Sequence, residues 1–353
     1  MRRILWTGIF AIAVLPSAGM AQPAPAAGPY SVLKTVKVGG DGAFDYVYAD
    51  SSGRRLYIPR RSTPAAVNVF DLDTLAPVGT IANAAARGAA VDPKSGHGFA
   101  SSKPVVMWDA KTLAPLKTID VQGNPDGIMF DPFNGRTYIF SHAAPNATVI
   151  NAADGSVVGT IDLGGQPEQA VTDGKGHIYV DLEDKNQIAV VDARNMTVTA
   201  HYDLGPKGGA PAGLAFDVKN GILFAACAEP TGSMVILNAS DGKILATLPI
   251  GAGVDGAVFN PATMEAFSSQ RDSTLTVVKE NSPTSFVVEQ TVATKAGAKT
   301  LTLDSKTNHV LLITADYEAA PPPAAGATPP PAGGRGPARV MVPGSFSILV
   351  VGK

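Results

Sequence analysis

The residues best suited to acid–base chemistry are Asp126 and His142, and His142 directly follows the strand-like segment "RTYIFS". A carboxylate beside an imidazole orients the ring and raises its basicity, which suits proton transfer. If the two side chains meet, His142 would serve as a general base and Asp126 as its orienting partner. The alternative is a structural histidine hydrogen-bonded to a loop, so the pair alone leaves open whether the protein is an enzyme.

Whether these side chains meet depends on a repeated unit of about 40 to 45 residues. Each unit contains an Asp-Pro-like turn, then a short strand rich in β-branched and aromatic residues, and later a Thr-Ile-like outer strand. The turn recurs at Asp50-Ser51, Asp92-Pro93, Asp131-Pro132, Asp173-Gly174, Asp217-Val218, Asn260-Pro261 and Asp304-Ser305. Four short strands per unit predict an all-β fold, a seven-bladed β-propeller with four-stranded antiparallel blades.

The last unit has no outer strand of its own, because the chain stops after a third strand at residues 346–351. An unused outer-strand pattern lies at residues 32–38. We expect this N-terminal strand to pair in the C-terminal blade. Such pairing closes the ring and removes the exposed sheet edges of an open array.

The register of the repeat predicts that charged residues gather at one opening of the channel. Adjacent strands are antiparallel, so the start of each first strand and the end of each second strand share a face. We predict a binding site there, formed by Asp45, Arg61, Arg87, Lys103, Glu168, Glu183, Asp255, Arg271 and Lys299. Same-blade pairs are expected between Asp45 and Arg61, Asp126 and His142, and Asp255 and Arg271. The alternative for any one of them is a solvated residue that caps a turn.

The sequence predicts no metal site and no cofactor. His97, His177 and His309 occupy equivalent turn positions, so they are expected on separate blades and on the opposite face. No HExxH, CxxC, GxSxG, Walker or EF-hand pattern occurs in the required context. Cys227, the single cysteine, lies among alanines and is expected to be buried.

Charge and composition limit the class of partner. The formal net charge is −2, from 28 basic and 30 acidic residues, so no positive field favours nucleic acid or an anionic membrane surface. The 37 glycines and 28 prolines suit many tight turns. We expect one domain over residues 30–353 and a monomer.

Residues 1–21 have the pattern of a signal peptide. Arg2 and Arg3 precede an apolar stretch at residues 4–15, and Gly19-Met20-Ala21 forms a small-x-small cleavage site. Cleavage before Gln22 is predicted. The cleavage site has no cysteine that could carry a lipid anchor. We therefore expect a periplasmic or secreted protein without a membrane anchor.

Two segments are rich in Pro, Ala and Gly. Residues 22–29 are predicted to be a linker, and residues 319–339 a disordered loop between the second and third strands of the last blade. A tolerated insertion is the simpler interpretation of the loop. The alternative is a flap beside the channel mouth, with Arg335 and Arg339 as anion contacts.

The hairpins "VFDLDTLAPVGTI", "VMWDAKTLAPLKTI" and "VVDARNMTV" and the connectors "GNPDGIMFDP" and "GQPEQAVTD" resemble those of the YncE-like family of YVTN-repeat, WD40-like propellers. The resemblance covers about residues 30–353. It implies the architecture and no particular reaction. The Tyr-Val-Thr-Asn motif itself is missing, since its position reads Tyr-Ile-Pro-Arg from Tyr57 and Tyr-Val-Asp-Leu from Tyr179.

Two classes of function remain open. The first is an exported binding protein that holds a small polar or anionic ligand, or a partner protein, at the channel mouth. The second is a propeller hydrolase or lyase that acts on a lactone or a sugar acid, with His142 and Asp126 as its acid–base pair. Binding is favoured because the acid–base signal is a single pair.

Overall fold

The computed structural model describes residues 28–144, 146–319 and 339–353. The signal peptide, residues 22–27 of the linker and residues 320–338 of the Pro-rich segment lie outside the described residues. The predictions made for those parts therefore stay predictions.

The described residues form strands and no helix, arranged as seven antiparallel blades around a channel. Strand β1 (Ser31–Lys37) comes first in the chain and belongs to the last blade. Blade 1 contains β2 (Ala43–Phe44), β3 (Tyr48–Asp50), β4 (Arg55–Arg61), β5 (Ala66–Asp71) and β6 (Pro77–Ala82), and both β2 and β3 pair with β4. Blade 2 contains β7 (Ala89–Asp92), β8 (His97–Ala100), β9 (Val105–Asp109) and β10 (Pro115–Ile119). Blade 3 contains β11 (Pro125–Asp131), β12 (Arg136–Ser141), β13 (Ala147–Asn151) and β14 (Val157–Ile161).

The second half of the ring repeats this order. Blade 4 contains β15 (Pro167–Thr172), β16 (His177–Leu182), β17 (Gln187–Asp192) and β18 (Thr197–Asp203). Blade 5 contains β19 (Gly209–Asp217), β20 (Ile222–Glu229), β21 (Ser233–Asn238) and β22 (Ile244–Pro249). Blade 6 contains β23 (Val254–Asn260), β24 (Glu265–Gln270), β25 (Thr274–Ser282) and β26 (Ser285–Ala293). Blade 7 contains β27 (Thr300–Asp304), β28 (His309–Thr314), β31 (Ser347–Gly352) and β1, while β29 (Tyr317–Ala319) and β30 (Arg339–Met341) form a separate hairpin. The predicted fold class is confirmed.

The apolar core lies between the blades. Successive strand residues point to opposite faces, so Val180 of β16 packs with Phe140 of blade 3, whereas its neighbour Tyr179 packs with Leu214 of blade 5. One four-stranded sheet would expose both of these faces to water. Stacking in a ring buries them, which explains why the second and third strands are almost wholly apolar.

The ring closes through its N-terminal strand, as predicted. Strand β1 pairs antiparallel with β31, from Ser31 opposite Gly352 to Lys37 opposite Ser347. Tyr30, just before β1, has its backbone N–H and C=O bound by the side-chain amide of Gln290 in blade 6, at 2.9 and 2.8 Å. The segment that starts at Tyr30 is therefore fixed to the sixth blade as well as to the C-terminal strand.

The hairpin of β29 and β30 lies between β28 and β31, where the insertion into the last blade was predicted. Tyr317 is opposite Met341, and Ala319 is opposite Arg339. These two end residues of the predicted disordered segment are thus in strands. Among the described residues no helix is long and apolar enough to cross a membrane.

Candidate functional site

The first strands of several blades are irregular at one mouth of the channel. The pairing of first and second strands slips between Pro125 and Ile128, between Pro167 and Ala170, and between Val254 and Ala257. These bulges contain Asp126, Glu168 and Asp255. In blade 1 the same position is the break between β2 and β3, which contains Asp45 and Tyr46. Bulges re-aim side chains, and here they place carboxylates at the channel mouth.

Glycine follows the mouth position in several blades because neighbouring backbones come close there. A Cβ atom on Gly127, directly after Asp126, would lie 2.7 Å from the carbonyl oxygen of Glu168. A Cβ atom on Gly213 would lie 2.6 Å from the backbone of Gly256. The local sequence therefore permits the tight approach that brings side chains of adjacent blades into contact.

A chain of ion pairs runs around part of the mouth. Arg271 contacts Asp255 at 3.0 Å, and Lys299 contacts both Asp255 and, at 3.1 Å, Asp45. Asp45 also accepts a hydrogen bond from Arg87 at 2.9 Å. We call these five residues the mouth network. Cationic and anionic side chains alternate along the network, so each side chain is held in place by its neighbours.

Beyond Arg87 the chain continues into a cluster of Asp126, His142 and Glu168, here called the carboxylate–imidazole cluster. Arg87 Nε lies 3.5 Å from Asp126 Oδ1. His142 Nε2 lies 3.2 Å from Asp126 Oδ2 and also 3.2 Å from Glu168 Oε1. Tyr46 donates from across the channel to Glu168 Oε2 at 3.0 Å. One imidazole nitrogen is thus placed between two carboxylates.

The pKa values of His142 and Asp126 in the cluster are raised, whereas that of Asp45 in the mouth network is lowered. Glu168 raises the pKa of His142 to about 9, with help from Asp126, because both carboxylates stabilise the imidazolium. Burial raises the pKa of Asp126 to about 6, against the opposing effect of Arg87. Burial also acts to raise the pKa of Asp45, but Lys299 and Arg87 hold it below its ordinary value. The imidazole of His142 is therefore protonated and positively charged at neutral pH.

The channel below the mouth is crossed by two side chains. Tyr46 reaches from blade 1 to Glu168 of blade 4. Gln169 accepts hydrogen bonds from the backbone N–H groups of Leu214 and Ala257, at 3.1 and 3.0 Å, and donates to Ala257 O at 2.8 Å. A cavity of about 160 Å³ lies beside both side chains.

A larger cavity of about 1100 Å³ lies at the mouth, above Arg271 and Lys299. Its wall mixes apolar surface with charges. The apolar part includes Phe44, Val254, Tyr317, Val340 and Met341, and the charged part includes Asp41, Glu183, Glu229, Arg271, Asp272, Lys299 and Arg339. The β29–β30 hairpin thus forms one side of the cavity.

Three solved structures with similar folds are distant in sequence. A chain of the crystal structure of the mitotic checkpoint complex matches with a TM-score of 0.69 and 12% identity, over 87% of this chain and 96% of that chain. The structure of U3-55K matches with a TM-score of 0.68 and 13% identity, over 92% of this chain and 99% of that chain. Hydrazine synthase of Kuenenia stuttgartiensis matches with a TM-score of 0.65 and 14% identity, over 78% and 94%.

At these identities the likeness establishes the propeller fold alone. No family model matches the chain, and no curated protein matches it in sequence. The YncE-like assignment therefore stays a prediction.

The structure brings most of the predicted site residues together. Asp45, Arg87, Glu168, Asp255, Arg271 and Lys299 lie in the mouth network or the adjoining cluster, and the predicted pairs Asp126–His142 and Asp255–Arg271 are present. Glu183 lines the large cavity. Whether these residues bind a ligand stays a prediction.

Two predicted residues lie elsewhere. Arg61 is exposed at the end of β4, and Asp45 pairs with Arg87 and Lys299 in its place. Lys103 follows a short second strand and donates to the carbonyl of Gly123 at 2.7 Å. The predicted Asp45–Arg61 pair is wrong, because the Asp45 carboxylate is paired with Arg87 and Lys299 of the neighbouring blades.

Residues that the sequence did not single out are Tyr46, Gln169 and Arg60. Tyr46 and Gln169 each follow a mouth position directly, so the same register would have found them. Arg60 is 2% exposed and stacks 3.6 Å from the ring centre of Phe346. Burial lowers the pKa of Arg60 to about 10.

Two other histidines and the cysteine make contacts that suit a structural role. His97 contacts the carbonyl of Ala152 at 2.9 Å, and His177 contacts Asp173 at 2.8 Å, both at turns between first and second strands. Cys227 is fully buried and unpaired. The expectation of a buried cysteine is confirmed.

Proposed function

We propose that the protein is an exported, YncE-like propeller that binds a small polar molecule at its channel mouth. The observation that carries the proposal is the cavity of about 1100 Å³ over the mouth network. Pockets for small molecules are concave, largely apolar and lined by a few fixed polar groups. Phe44, Tyr317 and Met341 supply the apolar wall, while Arg271 and Lys299 supply fixed polar groups.

The charges of the cavity favour a polar ligand that is neutral or cationic over an anion. Arg271 and Lys299 already have carboxylate partners in Asp255 and Asp45. An anion would have to compete with these intramolecular pairs. Exposed Asp41 and Glu229 add negative charge to the wall, so a hydroxyl, amide or amine group of a ligand fits better.

Export is supported by the N-terminal pattern of two arginines, an apolar stretch and Gly19-Met20-Ala21. The matching experiment is mass spectrometry of the intact protein from a periplasmic or culture fraction. We expect a chain that starts at Gln22. A chain that retains residues 1–21 and stays in the cytoplasm would contradict export without affecting the binding proposal.

Ligand binding is tested by native mass spectrometry of the protein purified from the cells that produce it. We expect a small molecule bound one to one. Ala228 lies half-buried in the cavity wall, so Ala228→Phe should fill part of the space and remove the bound mass. Ala153→Phe, on an exposed turn between β13 and β14, is the matched control and should retain it. Equal bound mass in both variants, or none in the unaltered protein, would count against a ligand in this cavity.

A partner protein is the alternative occupant of the same mouth. The fold is shared with a chain from the mitotic checkpoint complex, which supports a binding role of this kind in general. A partner would copurify at the mass of a protein, so the same spectrum separates the two cases.

The hydrolase or lyase alternative has one supporting observation, the contact of 3.2 Å between His142 and Asp126. Both carboxylates of the cluster meet the same ring nitrogen, Nε2. A catalytic dyad needs the carboxylate on one nitrogen and the substrate at the other, so only Nδ1 would remain for a substrate. This alternative rests on one pair of residues, whereas the cavity of about 1100 Å³ supports binding directly. The binding role is therefore the better supported.

A further inference from the structure

The carboxylate–imidazole cluster has ligand atoms of three side chains converging on one point. His142 Nε2 lies 3.2 Å from Asp126 Oδ2 and 3.2 Å from Glu168 Oε1, and the three ligand atoms lie within 4.8 Å of one another. Divalent transition metals bind nitrogen and oxygen ligands at about 2.0 to 2.2 Å. Two ligands of the same metal are then separated by about 3.0 to 3.5 Å. Both distances from His142 Nε2 match that spacing.

Hydrogen bonding leaves the centre of the cluster unsatisfied. Within the described residues His142 Nε2 and Asp126 Oδ1 have no hydrogen-bond partner, although both atoms are buried. The N–H direction of the imidazole therefore points at neither carboxylate, despite the short distances. The side chain of Asp126 is only 3% exposed, and its cationic neighbour Arg87 lies 3.5 Å from Oδ1 without a hydrogen bond to it. A further cation would therefore stabilise this buried carboxylate.

A neighbouring side chain lies beside the outer oxygen of each carboxylate, and the inner oxygen of each faces His142. Arg87 lies beside Asp126 Oδ1, and Tyr46 donates to Glu168 Oε2 at 3.0 Å. Asp126 Oδ2 and Glu168 Oε1 are the atoms that face Nε2. Metal sites commonly orient their ligands through outer partners of this kind.

The charge count of the mouth leaves room for one more cation. The mouth network and the cluster contain four carboxylates, on Asp45, Asp126, Glu168 and Asp255, and three permanent cations, on Arg87, Arg271 and Lys299. With His142 neutral, these groups have a net charge of −1, which attracts a cation to the mouth. His142 and Glu168 are 27% and 19% exposed, so an ion can reach the site from the mouth.

We propose that Asp126, His142 and Glu168 bind a divalent first-row transition metal ion, with an open coordination position toward the channel mouth. One imidazole with two carboxylates is a mixed ligand set that suits Zn²⁺, Fe²⁺, Co²⁺ or Mn²⁺. Three protein ligands with an open position are typical of sites where water or a ligand oxygen completes the coordination. The proposal differs from the sequence-based expectation of no metal site, because the three residues come from separate strands and form no local motif.

The test uses the full chain, without a histidine tag, after treatment with a chelator. Zn²⁺ is titrated by calorimetry, and Co²⁺ is followed by its visible absorption. We expect one Zn²⁺ per chain and Co²⁺ bands in the visible range. His142→Ala and Glu168→Gln should weaken Zn²⁺ binding at least 100-fold, and Glu168→Gln retains an acceptor for Tyr46.

His177→Ala is the matched control, because His177 contacts a single carboxylate at 2.8 Å and lies at a turn on the other face. It should bind Zn²⁺ as the unaltered chain does. Circular dichroism confirms that each variant is folded, and Glu168→Gln serves if His142→Ala is not. No Zn²⁺ or Co²⁺ binding by the unaltered chain, or equal weakening in the His177 and His142 variants, would overturn the proposal. A positive result does not depend on whether the large cavity holds a ligand.

Discussion

Arg54 of blade 1 forms a two-point ion pair with Asp304 of blade 7, with Nη1 2.7 Å from Oδ1 and Nη2 2.8 Å from Oδ2. The pair lies at the first-to-second strand turns, on the face opposite the mouth. The Asp304 side chain is 2% exposed. The pair therefore joins the first and last blades at a second place, away from the pairing of β1 with β31.

Asp304→Asn should reduce stability at neutral pH and have little effect in strong acid. Burial acts to raise the pKa of Asp304, but Arg54 and nearby donors lower it to about 2. A carboxylate with a lowered pKa stabilises the fold above its unfolded pKa of about 3.9, and that stability is lost as the pH falls toward 2. We expect a loss of about 1 to 2 kcal/mol at pH 7, allowing for solvent screening. Urea unfolding at pH 7 and pH 2.5 measures it.

Asp73→Asn is the matched control, because Asp73 contacts the same Arg54 at 2.7 Å but is 51% exposed. Exposed ion pairs contribute little to stability. We expect no measurable change. Equal losses in the two variants would show that the pairing of blades 1 and 7 does not depend on burial of Asp304.

Asp181→Asn should make the protein more stable, by an amount that grows with pH. Asp181 is fully buried in β16, and neither carboxylate oxygen has a hydrogen-bond partner among the described residues. Burial raises its pKa well above the ordinary value. A carboxyl group with a raised pKa stays protonated in the folded protein. As the pH rises above the pKa of the group in the unfolded chain, the folded protein loses stability by up to about 1.4 kcal/mol per pH unit.

The measurement is thermal unfolding of both proteins between pH 5 and pH 8. The stability difference should widen toward pH 8. Asp120→Asn, at an exposed position, controls for the loss of one carboxylate and should leave unfolding unchanged. A constant difference across this range would mean that Asp181 is not protonated in the fold.

Tyr30→Phe should loosen the closed ring. The Tyr30 hydroxyl donates to Glu265, which is fully buried and also contacts Lys353 at 2.9 Å. A hydrogen bond to a charged group contributes about 1.5 to 3 kcal/mol, and one to a neutral group about 0.5 to 1.5 kcal/mol. Tyr202→Phe, whose hydroxyl donates to the carbonyl of Ala239 at 3.1 Å, should therefore cost less. Urea unfolding ranks the two variants, and the reverse order would contradict the role of Glu265.

Deletion of residues 30–38 tests the closure itself. The deletion removes β1 and exposes the edge of β31 along its whole length. We expect a lower unfolding temperature for the entire protein in a single transition. An unchanged unfolding temperature would show that the ring is stable without its N-terminal strand.

The fold could be predicted from the sequence because each blade repeats the same short-range pattern. An Asp-Pro-like turn followed by apolar strands recurs from Asp50 to Asp304, and a repeat of this kind buries its faces only by stacking. The closing strand followed from the same pattern, with bounds that differ by one residue from the observed β1.

The candidate site could be predicted in part. A fixed count of five residues back from each turn placed Asp45, Asp255 and Lys299 at the mouth. The second strands vary in length, from β8 to β20, so the same count failed for Arg61. A shift of one residue along a strand reverses the direction of the side chain. Contacts across blades, such as His142 with Glu168, depend on the packing of separate sheets and have no signal in the local sequence.

Gly127→Ala should destabilise the protein, because the mouth depends on close contact between blades 3 and 4. The new Cβ atom would lie 2.7 Å from the carbonyl oxygen of Glu168. Backbone cannot move aside as a flexible side chain does, so we expect the free energy of unfolding to fall by about 1 to 3 kcal/mol.

At Gly159, in the outer strand β14, the nearest atom to a Cβ would be the terminal methyl carbon of Met196, at 3.2 Å. That carbon can move, and alanine suits a strand interior better than glycine. Gly159→Ala should therefore be neutral or slightly stabilising in the same urea titration. If Gly127→Ala were equally harmless, blades 3 and 4 would have to separate easily at the mouth, and the 3.2 Å contact between His142 and Glu168 would not be a fixed feature of the fold.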